Sequence, residues 1–121
     1  MSAARTPQPQ VTAMASPSPT PTMRLRAWDE ATGETLFKLR QQAVGAGPLD
    51  RKTCELIAIA GFAILGYEGS FKTHAQRLVD MGEPKAVLQH AVGTTLGATT
   101  VVFQVARALQ WIDELMPDDA A

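Results

Sequence analysis

Ten consecutive residues, Leu56 to Leu65, are apolar or glycine, and they limit what this chain can become. Spanning a bilayer takes roughly 20 such residues, so a run of ten predicts a buried core helix rather than a membrane segment. A helix apolar on every face must be covered on every face. A chain of 121 residues has few places to cover it, so a subunit interface is expected. The run is bracketed by chemistry: Cys54 and Glu55 precede it, and Gly66, Tyr67, Glu68, Gly69, Ser70 and His74 follow it.

The rest of the chain falls into order around this run. Residues 1–23 are rich in Pro, Ser and Thr and have little to bury, so a disordered tail is expected there. Residues 24–116 form the expected helical domain, and 117–121 an acidic end. A first helix is predicted from Trp28 or Asp29 to Val44, ended by Gly45, Gly47 and Pro48 and laid over the core through Leu25, Leu36, Phe37 and Leu39. Asp50 is placed to cap the second helix. Ser70 is placed to cap a third, from Phe71 to Met81, closed by Gly82. A fourth helix is expected to have Pro84 in its first turn and to run toward Leu96 or Gly97. The β-branched stretch from Thr94 to Val105 would suit a strand. No second strand exists to pair with it, so helix is predicted through to Leu115, with Phe103, Ala106 and Leu109 inward. The class is all-α, with about five helices.

Composition removes several functions. The net charge of −1 provides no basic field for nucleic acid or an acidic membrane surface. One cysteine excludes an intrachain disulfide, and two histidines leave too few ligands for an all-protein zinc cage, so neither cofactor nor metal is expected. The N-terminus lacks the continuous apolar core of a secretory signal, and a cytoplasmic location is expected.

Ser70 and His74, four residues apart, share one helix face. With Glu55 they could make a carboxylate–hydroxyl–imidazole group suited to proton transfer. Straight-helix arithmetic puts Glu55 about 18 Å from Tyr67, of which folding back four residues recovers about 6 Å. On that count Glu55 meets His74 only through a bend at Gly61, a bridging water or a neighbouring subunit. Each residue also has a plain reading: Ser70 as a helix cap, His74 as a hydrogen-bonded core residue, Glu55 as an interface partner for Arg51. Tyr67 could simply fill the turn, and Cys54 and His90 read as structural.

The segments LDRKTCELIAIA and SFKTHAQRLVDMGEP, separated by a glycine turn and followed by a small-residue-rich helix pair, resemble the carboxymuconolactone decarboxylase family, which includes the alkylhydroperoxidase D proteins. The resemblance runs from about Trp28 to Leu115. It implies an alkylhydroperoxidase D-like helical bundle that assembles into homo-oligomers, trimers or hexamers. The family's peroxidase branch carries Cys-x-x-Cys-x-x-x-His with a glutamate twelve residues before the first cysteine. Counted back from His74, the cysteine positions hold Tyr67 and Ser70, and the glutamate position holds Glu55. A hydroxyl forms neither sulfenic acid nor disulfide, so thiol peroxidase chemistry is not expected. The decarboxylase branch carries a Tyr-Glu pair upstream of its histidine; Tyr67-Glu68 is similar, although six rather than four residues separate Glu68 from His74. The resemblance thus implies cofactor-free decarboxylation or isomerisation of a small organic acid by His74, Glu55, Ser70, Glu68 and Tyr67. Arg51, Lys52, Lys72 and Arg77 are candidates to bind its carboxylate. A non-catalytic assembly module on the same scaffold, and a role in peroxide defence, are the alternatives.

Overall fold

The computed structural model describes residues 20–118, which contain six α-helices and no strand. They are α1 (Pro21–Trp28), α2 (Glu30–Gly45), α3 (Arg51–Leu65), α4 (Glu68–Asp80), α5 (Lys85–Gly93) and α6 (Val102–Leu115). The expected tail at 1–23 lies outside the described residues up to position 19. Its last residues open α1 instead: the Thr20 hydroxyl accepts from the Met23 amide at 3.1 Å, and Pro21 takes the first turn. Proline is favoured there because its missing N–H would have had no helical partner. Leu25 therefore belongs to a separate helix, and one residue, Asp29, turns the chain. Its backbone ends α1 and its carboxylate accepts the Thr32 amide at 3.0 Å to start α2.

α1 and α2 form a hairpin that packs chiefly on itself. Gly33 is its sole buried residue, and a Cβ there would lie 2.9 Å from the Cα of Arg26, so only glycine permits the approach. Arg26 then reaches Glu34 at 3.2 Å and covers the Phe37 ring. The expectation that Leu36, Phe37 and Leu39 cover the core is not met within one chain: all three are exposed, as is Trp28 at 77%. The hairpin is too short to bury its own apolar face.

α3 to α6 build the core. α3 packs on α4, α5 and α6, and contributes Ile59 and Ala63 to a cluster with Phe71, Ala75 and Leu78 of α4, Leu88 and Val92 of α5, and Val105, Ala108, Trp111 and Ile112 of α6. Phe71 and Trp111 meet with ring centroids 5.2 Å apart. Burying side chains of this size stabilises by about 1.5–3 kcal/mol each, so this cluster carries most of the fold's stability. α3 is not covered all round, however, since Ile57 and Leu65 face outward.

Asp50 caps α3 as expected, accepting the Thr53 amide at 2.8 Å. At the other end Gly66 takes a left-handed φ of +78°, which lets its amide and that of Tyr67 both reach the Phe62 carbonyl, at 2.8 and 3.1 Å. Two side chains of α6 satisfy the next carbonyls: Gln104 donates to Ile64 at 3.0 Å, and Arg107, between the Phe103 and Trp111 rings, to Ala63 at 3.4 Å.

Three expectations need correction. α4 begins at Glu68 with Tyr67 at its N-cap, so Ser70 sits inside the first turn and caps nothing. Pro84 is the N-cap of α5 rather than its first helical residue, and α5 stops at Gly93. Thr94 to Val101 is a compact loop, because threonine hydroxyls compete for helix carbonyls: Thr94 donates to Ala91 at 2.9 Å and Thr95 to Val92 at 2.7 Å. The buried face of α6 is consequently Val105, Ala108, Trp111 and Ile112, while Phe103 and Ala106 point outward.

Candidate functional site

A tight turn at Gly66 folds α4 back along α3, and that places Glu55 against His74. The His74 Nδ1 lies 2.6 Å from Glu55 Oε1, a direct hydrogen bond within one chain. The earlier start of α4 accounts for most of this. His74 lies seven residues beyond the cap at Tyr67, so folding back recovers about 10 Å rather than about 6 Å, and side-chain length closes the rest. Neither a bridging water, nor a second subunit, nor a bend at Gly61 is needed for the contact.

The carboxylate has a second partner. Arg77, one turn beyond His74, donates from Nη1 to Glu55 Oε2 at 3.2 Å. The same nitrogen is 3.4 Å from His74 Nδ1, but a guanidinium can only donate there, and the much shorter, charge-assisted contact to the ionised carboxylate at 2.6 Å favours Nδ1 as a donor. The network therefore assigns the proton of neutral His74 to Nδ1 and leaves Nε2 as a free acceptor; among the described residues Nε2 has no hydrogen-bond partner. Phe62 of α3 packs on the imidazole with ring centroids 5.1 Å apart and fixes its plane.

Electrostatics follow from this packing. Glu55 is 4% exposed, and burial alone would raise its pKa. The hydrogen bond and charge of His74, and then those of Arg77, outweigh burial and hold the carboxyl below its ordinary 4.5. His74 is pushed down by burial, pushed back by Glu55, and lowered further by Arg77 and by Arg40 of α2, so it titrates below its ordinary 6.5. At neutral pH the pair is a carboxylate beside a neutral imidazole. Such a pair can accept a proton at Nε2 and stabilise the imidazolium that results, as a general base requires.

The other expected residues sit along one stripe of α4. Tyr67, Ser70, His74 and Arg77, at intervals of three and four, share a face. Tyr67 is exposed, with its ring 6.4 Å from that of Phe62, and Ser70 is half-buried one turn before His74. Glu68 is not part of the group, because it pairs with Lys72 at 3.0 Å and Lys72 in turn with Glu114. Cys54 is half-buried, with Sγ 3.9 Å from the Leu49 carbonyl. Sequence reasoning named Arg77 only as an anion ligand, and missed Phe62. The signals were its three-residue spacing from His74 and the seven-residue spacing of Phe62 from Glu55, each of which selects one helix face.

No helix among the described residues is long and apolar enough to cross a membrane. The sequence profile of the Carboxymuconolactone decarboxylase family matches residues 30–113, from the start of α2 to near the end of α6. No curated protein and no solved structure matches the chain. The glutamate, the histidine and the all-α bundle that carries them lie within the matched span. The chain belongs to the carboxymuconolactone decarboxylase family.

Proposed function

We propose that this chain is a cofactor-free proton-transfer enzyme of the decarboxylase or isomerase type acting on a small organic acid, without thiol peroxidase chemistry. The observation that carries this reading is the 2.6 Å contact between Glu55 and the neutral His74. In an isomerisation, Nε2 takes a proton from one carbon of the substrate and the imidazolium returns it to another. In a decarboxylation, the electron pair left by departing CO2 takes its proton from an imidazolium recharged from solvent. Glu55 holds the Nδ1 proton and stabilises the imidazolium in both cases, while Arg77 keeps Glu55 ionised. Proton transfer by a positioned side chain contributes typically 10²–10⁴-fold to rate. Ser70 and Tyr67, on the same stripe, are placed to hydrogen-bond a substrate.

Homo-oligomer formation, as a trimer or hexamer, belongs to the proposal, because the hairpin and one end of the bundle leave Trp28, Leu65, Val102 and Phe103 exposed. The same surfaces favour a second reading, in which the scaffold is a non-catalytic assembly module. A panel of small oxo and unsaturated carboxylic acids, followed by proton NMR for loss of CO2 or migration of a double bond, separates the two. The enzyme reading expects turnover that His74→Gln abolishes while the sedimentation profile stays unchanged. Absence of turnover across the panel, or turnover indifferent to the substitution, refutes it.

A further inference from the structure

Of the four cations that the sequence offers for a substrate carboxylate, the structure separates two from the rest. Lys72 is held by Glu68 and Glu114, and Lys52 faces Glu83 at 4.0 Å. Arg51 has no carboxylate within ion-pair distance among the described residues. Arg77 spends one of its five N–H groups on Glu55, and its side chain remains 45% exposed. These two arginines border a depression of about 350 Å³ whose other walls are Asp80 and Met81.

We propose that Arg51 and Arg77 form the seat for the carboxylate of a small monocarboxylic acid, whose apolar body lies against Met81, and that Arg77 couples occupancy of this seat to the proton affinity of His74. The proposal rests on the proton-transfer reading of the same site. Asp80, together with the Glu55 carboxylate that Arg77 already faces, offsets the two guanidinium charges, so the seat draws an anion through the N–H groups these arginines leave free and suits one carboxylate rather than two. Asp80 takes a hydrogen bond from Gln76 at 2.9 Å and has no cation within ion-pair distance among the described residues. Guanidinium forks suit a planar carboxylate geometrically.

The coupling has a definite sign. The charged groups acting on His74 are Glu55 from α3, Arg77 from α4 and Arg40 from α2, with the uncharged Phe62 ring on its face. An anion seated on Arg77 offsets that guanidinium and makes the imidazole a better base when a ligand is present.

The test is a titration of the full chain with sodium butyrate at constant ionic strength, read from the imidazole NMR signals of His74, with butyramide as the uncharged control. Butyrate is expected to bind saturably and to move the His74 titration midpoint upward, and butyramide to do neither. Arg51→Gln should weaken butyrate at least about tenfold while leaving the ligand-free midpoint in place. Arg77→Gln should weaken butyrate similarly and raise the ligand-free midpoint, an effect that a merely structural arginine would not have. An equal response to butyramide, or undiminished butyrate binding in Arg51→Gln, overturns the proposal. Binding as described without turnover of any acid would leave the seat standing and remove the enzyme reading; turnover without butyrate binding would do the reverse.

Discussion

Replacing Glu55 by glutamine changes one charge and almost no volume, and its consequences can be worked out from the geometry. The amide oxygen of a glutamine can still accept the Nδ1 proton, but the bond is no longer charge-assisted. Hydrogen bonds to charged groups contribute about 1.5–3 kcal/mol against about 0.5–1.5 kcal/mol for neutral ones, so the loss at the 2.6 Å contact is about 1–1.5 kcal/mol. The Arg77 contact adds less than about 1 kcal/mol, because that side chain is half exposed and screened. Glu55→Gln should therefore lower stability by about 2 kcal/mol at pH 7.5. For a domain of this size that is roughly 8–16 °C in melting temperature.

The pH dependence is the sharper part of the prediction. Glu55 titrates below its ordinary 4.5, so its stabilisation is present above that value and is lost only as pH falls through the lower folded pKa. Between pH 7.5 and 5.5 Glu55 stays ionised and His74 is the group in play. Its folded pKa lies below its unfolded 6.5, so the unfolded chain binds more protons there and stability falls as pH falls. In the variant, the imidazolium would stand beside Arg77 and Arg40 with no carboxylate to offset them, and the fall should be steeper. Urea unfolding at fixed protein concentration, at pH 7.5, 6.5 and 5.5, measures the gap between the two proteins. The gap should widen toward acid; a gap that is constant or narrows would refute the coupling of Glu55 to His74.

Three other substitutions test parts of the account. Gly33→Ala, a change that stabilises most helix interiors by about 0.5–1 kcal/mol, should here force α1 off α2 and speed proteolysis within α1, with the α3–α6 bundle intact by near-UV circular dichroism. Gly66→Ala should destabilise by more than about 1 kcal/mol in thermal unfolding, because φ is +78° and the new Cβ would lie 2.7 Å from Arg107 Nη2. Cys54→Ser should leave peroxide consumption unchanged from the wild-type level, which should itself be negligible; consumption that disappears with the thiol would reinstate a peroxidase role.

How far the sequence could be read depended on the range of the interaction involved. The all-α class, the Asp50 cap and the outline of α3 rest on local pattern, and they hold in the structure. The glutamate–histidine pair was legible through family spacing, but its contact was not, because the N-terminus of α4 was misplaced. Ser70 is an excellent capping residue, and nothing local reveals that the chain enters the helix three residues earlier, at Glu68. The Thr94–Val101 loop was lost for a related reason: threonine hydroxyls that end a helix and β-branched residues that merely disfavour one look alike in a string. With the loop read as helix, Phe103 falls on the expected inward face of α6, yet the structure leaves it 59% exposed. An apolar residue at the right period identifies a face only when its partner surface is known. The hairpin shows the same limit, since Leu36, Phe37 and Leu39 were expected on a core that their own chain does not supply.

Proton transfer at this site turns on the protonation state of one ring. Neutral histidines ordinarily carry their proton on Nε2 in water, and the Glu55 contact requires the opposite tautomer. Nitrogen-15 chemical shifts of the His74 imidazole at pH 7.5, measured in long-range correlation spectra, read both nitrogens directly. A proton on Nδ1 with Nε2 bare, reverting toward the ordinary tautomer when Glu55 is replaced by leucine, is the predicted result. A proton on Nε2, or a ring whose nitrogens do not respond to the loss of Glu55, would contradict the central claim that these two residues act as one proton-transfer unit.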